Sequence, residues 1–366
     1  MFHCIGEGYI ARTTEGRRAI AAGSRCVVTA AGDLLCSFMF TAALARNDFL
    51  PVLFRSRDGG ETWHEQGPIW PALAERWSIF ASISRDAVGQ RYLFGSRCPV
   101  EQPGESFWCD ATQGLKQNEL IWARSTDHGV TWTEPAVIPM PVAGAAEAPG
   151  ALCVTRTGRW LGVYSPYNTF DPALKVEQNQ VMVVFSDDHG RSWRHTAMLR
   201  FAEERSGGAE AWIVELADGR LLGTAWHINH AQGDDFPNAY ALSLDCGQTW
   251  QPTRSTGVMG QSTALAALPD GGALFIYNQR KHGAPGVWLA EVQPTADAFG
   301  IRSNEIIWRA ATPTQSGSSG QHEEWHDFAF GEPSVTVLPD GNLLVTLWCI
   351  QPDGCGIRYL KLRKVP

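Results

Sequence analysis

The chain has 366 residues and a formal net charge of −8, which argues against a nucleic-acid partner because phosphate binding needs a basic face. No apolar run reaches the ~18 residues of a membrane span and no charged-then-apolar leader opens the chain, so no membrane partner and a cytoplasmic location are expected. The composition, 37 Gly, 21 Pro and 15 Trp with only 19% charged residues, suits many short strands joined by tight turns and packed by aromatics. An ordinary single core is hard to extend over this length, whereas a repeat fold whose sheets share one axis is not. The nine cysteines are scattered without C-x-x-C spacing and read as buried thiols of a reducing compartment, not as a disulfide framework or a zinc site.

In chain order, residues 7–22 (GYIARTTEGRRAIAAG) come first and are strand-like. Six similar units follow, each an apolar run, a Gly turn and a second apolar run, centred on Gly32, Gly89, Gly158, Gly219, Gly271 and Gly341. Gly between alternating hydrophobic runs is a strong short-range hairpin signal. Six such hairpins predict six four-stranded antiparallel sheets. The last runs out of chain after Tyr359, so residues 7–22 are expected to complete it and remove the open edges. Four units carry a second motif 26 to 38 residues after their Gly: Ser56–Trp63, Ser125–Trp132, Ser186–Trp193 and Ser243–Trp250, sharing S-x-D-x-G-x-[ST]-W. Asp caps the N–H groups of a tight turn, Gly supplies positive φ, the hydroxyls tie the turn to itself, and Trp pins it between neighbouring sheets. The fifth unit carries its outer hairpin in 287–310, with a degenerate copy around Ala296 to Gly300.

This motif is the Asp-box, and the chain resembles the sialidase-like β-propeller superfamily. The resemblance implies an all-β, six-bladed propeller, a single domain over residues 1–366 whose ring is closed by the N-terminal segment. In such a blade the Gly turns and Asp-boxes share the bottom face, so Asp58, Asp127, Asp188 and Asp245 are structural. Chemistry then belongs on the top face. Counting seven to eleven residues back from each Gly turn gives Arg25, Glu147, Glu210, Gln261 and Glu332. Counting seven to ten forward gives Arg97, Tyr167, His227, Asn229, Asn278, Arg280 and Trp348. Charged and amide groups at the open end of apolar strands need partners or a ligand, because desolvation is otherwise costly.

Sialidases of this superfamily use an arginine triad for the substrate carboxylate, an aspartic acid/base, and a tyrosine nucleophile assisted by glutamate. By resemblance, Arg25 stands in the place of the first arginine, without the Ile-Pro that follows it in the family. Arg280 is a candidate second arginine, and Arg97 a third on a blade that departs from the pattern. Asp48, ten residues before Asp58, matches the acid/base, and Glu210 the assisting glutamate. No tyrosine stands near the start of the sixth blade, where the chain reads Phe328-Ala-Phe330-Gly331-Glu332. A carboxylate nucleophile such as Glu332 suits a sugar without a carboxylate at its anomeric carbon, and a uronic acid would still give Arg25 and Arg280 a bidentate partner.

His322-Glu323-Glu324-Trp325-His326 matches H-E-x-x-H, a zinc motif when helical. Here it follows Ser-Gly-Ser-Ser-Gly without helical periodicity, so it reads as chance or a loop-borne substrate contact, and neither a metal nor a cofactor is expected. The expected function is an exo-acting glycoside hydrolase using paired carboxylates, Asp48 with Glu332 or Glu210, on a terminal, possibly acidic sugar. The loops at 39–50 and 98–119 would wall the pocket, and Trp77, Trp108, Tyr167 and Trp348 would offer platforms for sugar faces. The rival readings are a non-catalytic glycan-binding propeller and a sugar lyase using His227 or Tyr167 as base. The partner in each case is a carbohydrate; the sequence leaves the sugar, the linkage and the oligomeric state open.

Overall fold

Each of the six Gly turns folds the same way. The residue three before the glycine accepts its N–H and donates to the residue after it, as in the Thr29–Asp33 turn (Gly32 N to Thr29 O, 3.0 Å; Thr29 N to Asp33 O, 2.7 Å). The glycines hold φ of 81° to 91°, the left-handed residue of a three-residue hairpin loop with a bulge. The computed structural model describes residues 1–231, 235–314 and 327–365, so His322 and His326 lie outside the described residues.

Six antiparallel sheets result. Blade 1 runs Ile20–Val28, Leu34–Thr41, Leu50–Ser56, His64–Pro68 from the inside out. Blade 4 runs Ser206–Glu215, Leu221–Asn229, Ala239–Ser243 and Arg254–Ser255. Blade 6 takes three strands from the C-terminal end, Phe330–Val337, Leu343–Gln351 and Gly354–Lys364, and its outermost strand from Phe2–Arg12. The ring is therefore closed by the N-terminal segment, as expected, but with a different boundary. Pairing runs from Phe2 opposite Lys364 to Arg12 opposite Gly356. Ile20–Ala22, placed in the closing segment by the sequence, instead open the inner strand of blade 1 opposite Thr41 to Met39. The degenerate fifth outer hairpin is also present, as Gly286–Val292 paired with Ile301–Arg309.

The second strands are covered on both faces by neighbouring blades, so they read as unbroken apolar runs. Leu34–Thr41 and Trp160–Tyr167 are buried throughout, whereas His64–Pro68 faces solvent. The cores lie between blades. Val27, Leu35 and Leu53 of blade 1 pack with Ile79, Leu93 and Ile121 of blade 2, and the Asp-box Trp132 closes that cluster from outside. Trp63, Trp193 and Trp250 pack in the same manner, each against the preceding blade. Of the nine free cysteines, Cys36, Cys98 and Cys349 are buried, but Cys4 is exposed and five are intermediate, so the expectation of buried thiols holds for a third of them.

The inner strands carry the feature that shapes the funnel. In blades 1, 4, 5 and 6 the ladder slips between Ala22 and Arg25, Ala209 and Trp212, Gln261 and Thr263, and Gly331 and Ser334. One residue in each slip has positive φ: Gly23 (69°), Glu210 (49°), Ser262 (53°) and Glu332 (45°). All four stand nine residues before their Gly turn. Blade 3 breaks its inner strand at the same level, between Glu147 and Cys153. Non-glycine residues in the left-handed region cost about 1 kcal/mol or more each and collect where surrounding structure enforces them.

Candidate active site

A cavity of about 750 Å³ opens at the end of the funnel opposite the Gly turns. Its walls come from the starts of first strands, the ends of second strands and the loops joining second to third strands. Among the described residues, none of those in a Gly turn or an Asp-box lines it. In the Asp-box of blade 2, the Asp127 carboxylate accepts from Thr131 Oγ1 (2.5 Å), Thr131 N (2.8 Å), Ser125 Oγ (2.8 Å) and Val130 N (3.2 Å), which holds its carboxyl down at about 2. Asp58, Asp188 and Asp245 accept equivalent bonds from their own turns. The boxes are turn staples on the far face.

Three glutamates converge on the cavity, Glu147, Glu210 and Glu332. Glu210 and Glu332 project from the bulges of blades 4 and 6, and Glu147 ends the first half of the broken strand of blade 3. Glu147 accepts the backbone N–H of Glu210 at 3.0 and 3.2 Å. Burial, and then the charge of Glu210, pushes the Glu147 carboxyl well above the ordinary range. Burial and Glu210 also raise Glu332 to about 7, against the pull of Arg25, the Gly23 N–H and Arg280. Glu210 is raised by burial but held back by the Ser262 hydroxyl, Arg280 and Arg25, and its Oε2 is buried without a hydrogen-bond partner.

Both arginines sit deep under this cluster. Arg280 donates from Nε and Nη2 to Phe330 O (3.1 and 2.5 Å) and from Nη1 to Gln261 Oε1 (2.8 Å), with Phe328 3.9 Å beneath its guanidinium. Arg25 donates to Ser24 O (2.8 Å), Glu332 O (3.1 Å) and Pro149 O (3.4 Å) and lies 4.9 Å over the Trp212 ring. Burial lowers both guanidinium values, Arg280 to about 10, while Glu210 and Glu332 pull the other way. Among the described residues, no ion pair within 4 Å joins either arginine to the three glutamates.

Tyr167, Asn229 and Trp348 line the cavity, and Gln261 reaches it only through Arg280. The remaining candidates are turned away. Asp48 caps its own loop, accepting from Thr41 Oγ1 (2.5 Å) and Ala42 N (3.3 Å), and the cavity is lined by its neighbours Asn47 and Phe49. Arg97 pairs with Glu119 (2.7 Å) and lies 4.2 Å over Trp77, so neither Arg97 nor the Trp77 platform faces the cavity. His227 stacks 4.0 Å from Phe201, with Nε2 3.6 Å from Glu203, and Asn278 is fully buried behind the wall.

Sequence reasoning missed Ser262, which only the nine-residue register reveals, and Asn118. The Asn118 side chain donates to Ala146 O (2.8 Å) and accepts from Ala146 N (2.8 Å), standing in for a strand beside Glu147. It ends a loop insert whose short hairpin, Trp108–Cys109 with Gly114–Leu115, forms one wall. Asn47 Nδ2 ties this insert to the loop of blade 1 through Pro99 O (2.8 Å) and Glu105 Oε1 (2.6 Å). Among the described residues, no group of three or more His, Cys, Asp or Glu could hold a metal ion, and no helix is long and apolar enough to cross a membrane.

Six blades, four of them carrying an Asp-box, around a carboxylate-rich axial cavity define a sialidase-like propeller. The chain belongs to the BNR repeat-like domain family, matched over residues 105–345, and residues 54–65 match the BNR/Asp-box repeat itself. It is 25% identical to a sialidase of Micromonospora viridifaciens over 375 aligned positions, covering 91% of this chain and 50% of that protein. The chain thus spans about half the length, or less, of the curated relatives it matches. Among solved structures it is similar to a Dyadobacter fermentans protein of unknown function (TM-score 0.75, 17% identity, 100% and 99% of the two chains covered). It is also similar to an α-L-arabinofuranosidase of Fusarium graminearum (TM-score 0.65, 15% identity, 98% of each chain covered). At these identities the two structures show a shared fold.

Proposed function

We propose that the protein is an exo-acting glycoside hydrolase whose acid and base are glutamates of the axial cavity. The observation carrying this reading is the convergence of Glu147, Glu210 and Glu332 on one cavity with unequal proton affinities. Glycoside hydrolysis needs one carboxyl protonated to donate to the leaving oxygen and one ionised to act at the anomeric centre. Environments that push neighbouring carboxyls apart in pKa mark such an assignment. Glu332, raised to about 7, is the acid. Glu210, held back by Ser262 and flanked by two cations, is the ionised partner, as nucleophile or as base for water. Glu147, whose carboxyl burial also pushes well above the ordinary range, holds the Glu210 backbone in place and reduces the negative charge that Glu210 must tolerate. Asp48 gives up the acid role expected of it because its carboxylate is spent on its own loop. The tied loops favour exo action, since they close one side of the cavity around a chain end.

The test is a panel of aryl glycosides assayed with the native protein and with Glu210→Gln. Turnover of at least one glycoside is expected, with a loss of roughly 10³-fold or more in kcat for the variant and retained ligand binding. Binding of sugars with no turnover by the native protein would identify a glycan-binding propeller instead.

A further inference from the structure

We infer that the sugar seated in this cavity is uncharged: the site is built to take a neutral glycosyl unit and to repel one carrying a carboxylate. The inference rests on the glycoside-hydrolase reading only for the identity of the ligand as a sugar. It follows from the charge and the hydrogen-bond directions of the cavity wall.

A carboxylate receptor needs guanidinium edges turned toward the ligand, because the strength of the pair lies in two parallel N–H···O bonds. Among the described residues, two arginines line the cavity, Arg205 and Arg280. Arg280 directs Nε and Nη2, the two nitrogens of one fork edge, to a single backbone carbonyl, Phe330 O, and Nη1 to Gln261. Arg205 is exposed at the rim and donates to His230 O at 3.2 Å. Arg25 does not line the cavity; its Nη1 and Nη2 donate to three backbone carbonyls, its Nε is buried without a partner, and its face lies on Trp212. The deep arginines therefore act as counter-charges beneath the glutamates and as ties between blades 1, 3, 5 and 6.

In the assignment above Glu147 and Glu332 are protonated, and Glu210 is the ionised carboxylate at the cavity floor. Five glutamates, 147, 177, 204, 210 and 332, line the cavity against Arg205, Arg280 and Lys116. Lys116 is already paired with Glu101 (3.0 Å) and Glu105 (2.8 Å). A carboxylate reaching the cavity floor would lose its hydration, meet the ionised Glu210, and find no open fork there, and like-charge juxtaposition in a desolvated pocket is strongly unfavourable. An uncharged sugar meets Tyr167, Trp226, Phe80 and Trp348 for its apolar faces and Asn47, Asn118 and Asn179 near its hydroxyls.

The experiment measures two quantities on the native protein. Binding is titrated calorimetrically with uncharged iminosugars and aldonolactones, and separately with glucuronic acid and N-acetylneuraminic acid. Turnover is measured with 4-methylumbelliferyl glycosides of neutral pyranoses and furanoses beside the glucuronide and the sialoside. The expected result is that at least one neutral ligand binds, and one neutral glycoside turns over, 10²-fold or more better than either acidic counterpart. Tighter binding or faster turnover of a carboxylate sugar overturns the inference whatever the reaction. Neutral ligands bound but no glycoside cleaved would leave the charge selectivity standing and remove the hydrolase reading. Binding of neither class overturns both.

Discussion

Glu332 concentrates the energetic conflict of the site in one residue. Its backbone sits at φ 45° and its carboxyl is held at about 7 against an ordinary 4.5. Because the folded value is the higher one, the fold prefers the protonated form. That preference is fully present below about pH 4.5 and is lost as the pH rises through about 7. Glu332→Gln should therefore leave the melting temperature nearly unchanged at pH 4.5. At pH 8 it should stabilise the protein by about 2 kcal/mol, a value reduced for the water the open cavity admits. The same variant should lose roughly 10³-fold or more in turnover. In the native protein, kcat/KM should fall on the alkaline side near pH 7, where the acid loses its proton. Melting curves at the two pH values and one pH–rate profile decide this. A variant destabilised at pH 8, or a native profile still flat to pH 9, would remove Glu332 from the acid role.

At the scale of the strand, the bulge explains both what the sequence revealed and what it concealed. Gly turns and Asp-boxes were legible because each demands a residue type locally: positive φ wants glycine, and a turn with free N–H groups wants Asp. The funnel residues were legible only as a zone of positions. A bulge shifts the two-residue alternation, so Arg25 and Gln261 were picked from the count yet support the site from behind, while Ser262, inside the same count, was passed over. Alternation also misplaced Arg97: Ser96 and Cys98 line the cavity, so the residue between them points the other way, onto Trp77. Asp48 was read by its distance along the chain, but a short acidic side chain in a tight loop tends to bond its own backbone. Two predictions belong here. Asp127→Ala removes the acceptor of a staple far from the cavity, and should cost about 1 kcal/mol of stability with KM unchanged. Gly23→Ala acts at the bulge of blade 1. A Cβ there would lie 2.4 Å from both Met39 Cε and Phe80 Cζ, at a φ of 69° that disfavours alanine. The expected cost is about 2–3 kcal/mol. Relieving that clash would shift the backbone N–H of residue 23 that holds Glu332 down, so the alkaline limb of the pH profile should also move upward in the surviving protein. A destabilised variant with an unmoved limb would separate Gly23 from the acid.

The whole ring depends on joining its two ends. Ile10 and Ala11 of the N-terminal strand pack in one core with Phe38 of blade 1 and Leu344, Trp348 and Ile357 of blade 6. Nearer the axis, Ser24 Oγ meets Thr346 Oγ1 at 3.0 Å, and Ser334 Oγ donates to Ser24 O at 3.0 Å. The outer strand therefore locks a seam that also sets the distance between Arg25, on blade 1, and Glu332, on blade 6. Deleting residues 1–12 would leave Gly354–Lys364 as a long unpaired edge and open part of that core. The expected loss is about 5 kcal/mol, or roughly 10 °C in melting temperature, together with concentration-dependent association. Activity should fall with it, because the seam carries Arg25 away from Glu332 and leaves the acid without its counter-charge. Supplying residues 1–14 as a synthetic peptide should restore melting temperature, monodispersity and turnover together, since an open edge accepts an added strand through its main-chain bonds. Sedimentation, thermal melting and turnover measured with and without the peptide test the link. A truncated protein as stable, monodisperse and active as the full chain would mean that the ring is held by the inner strands alone.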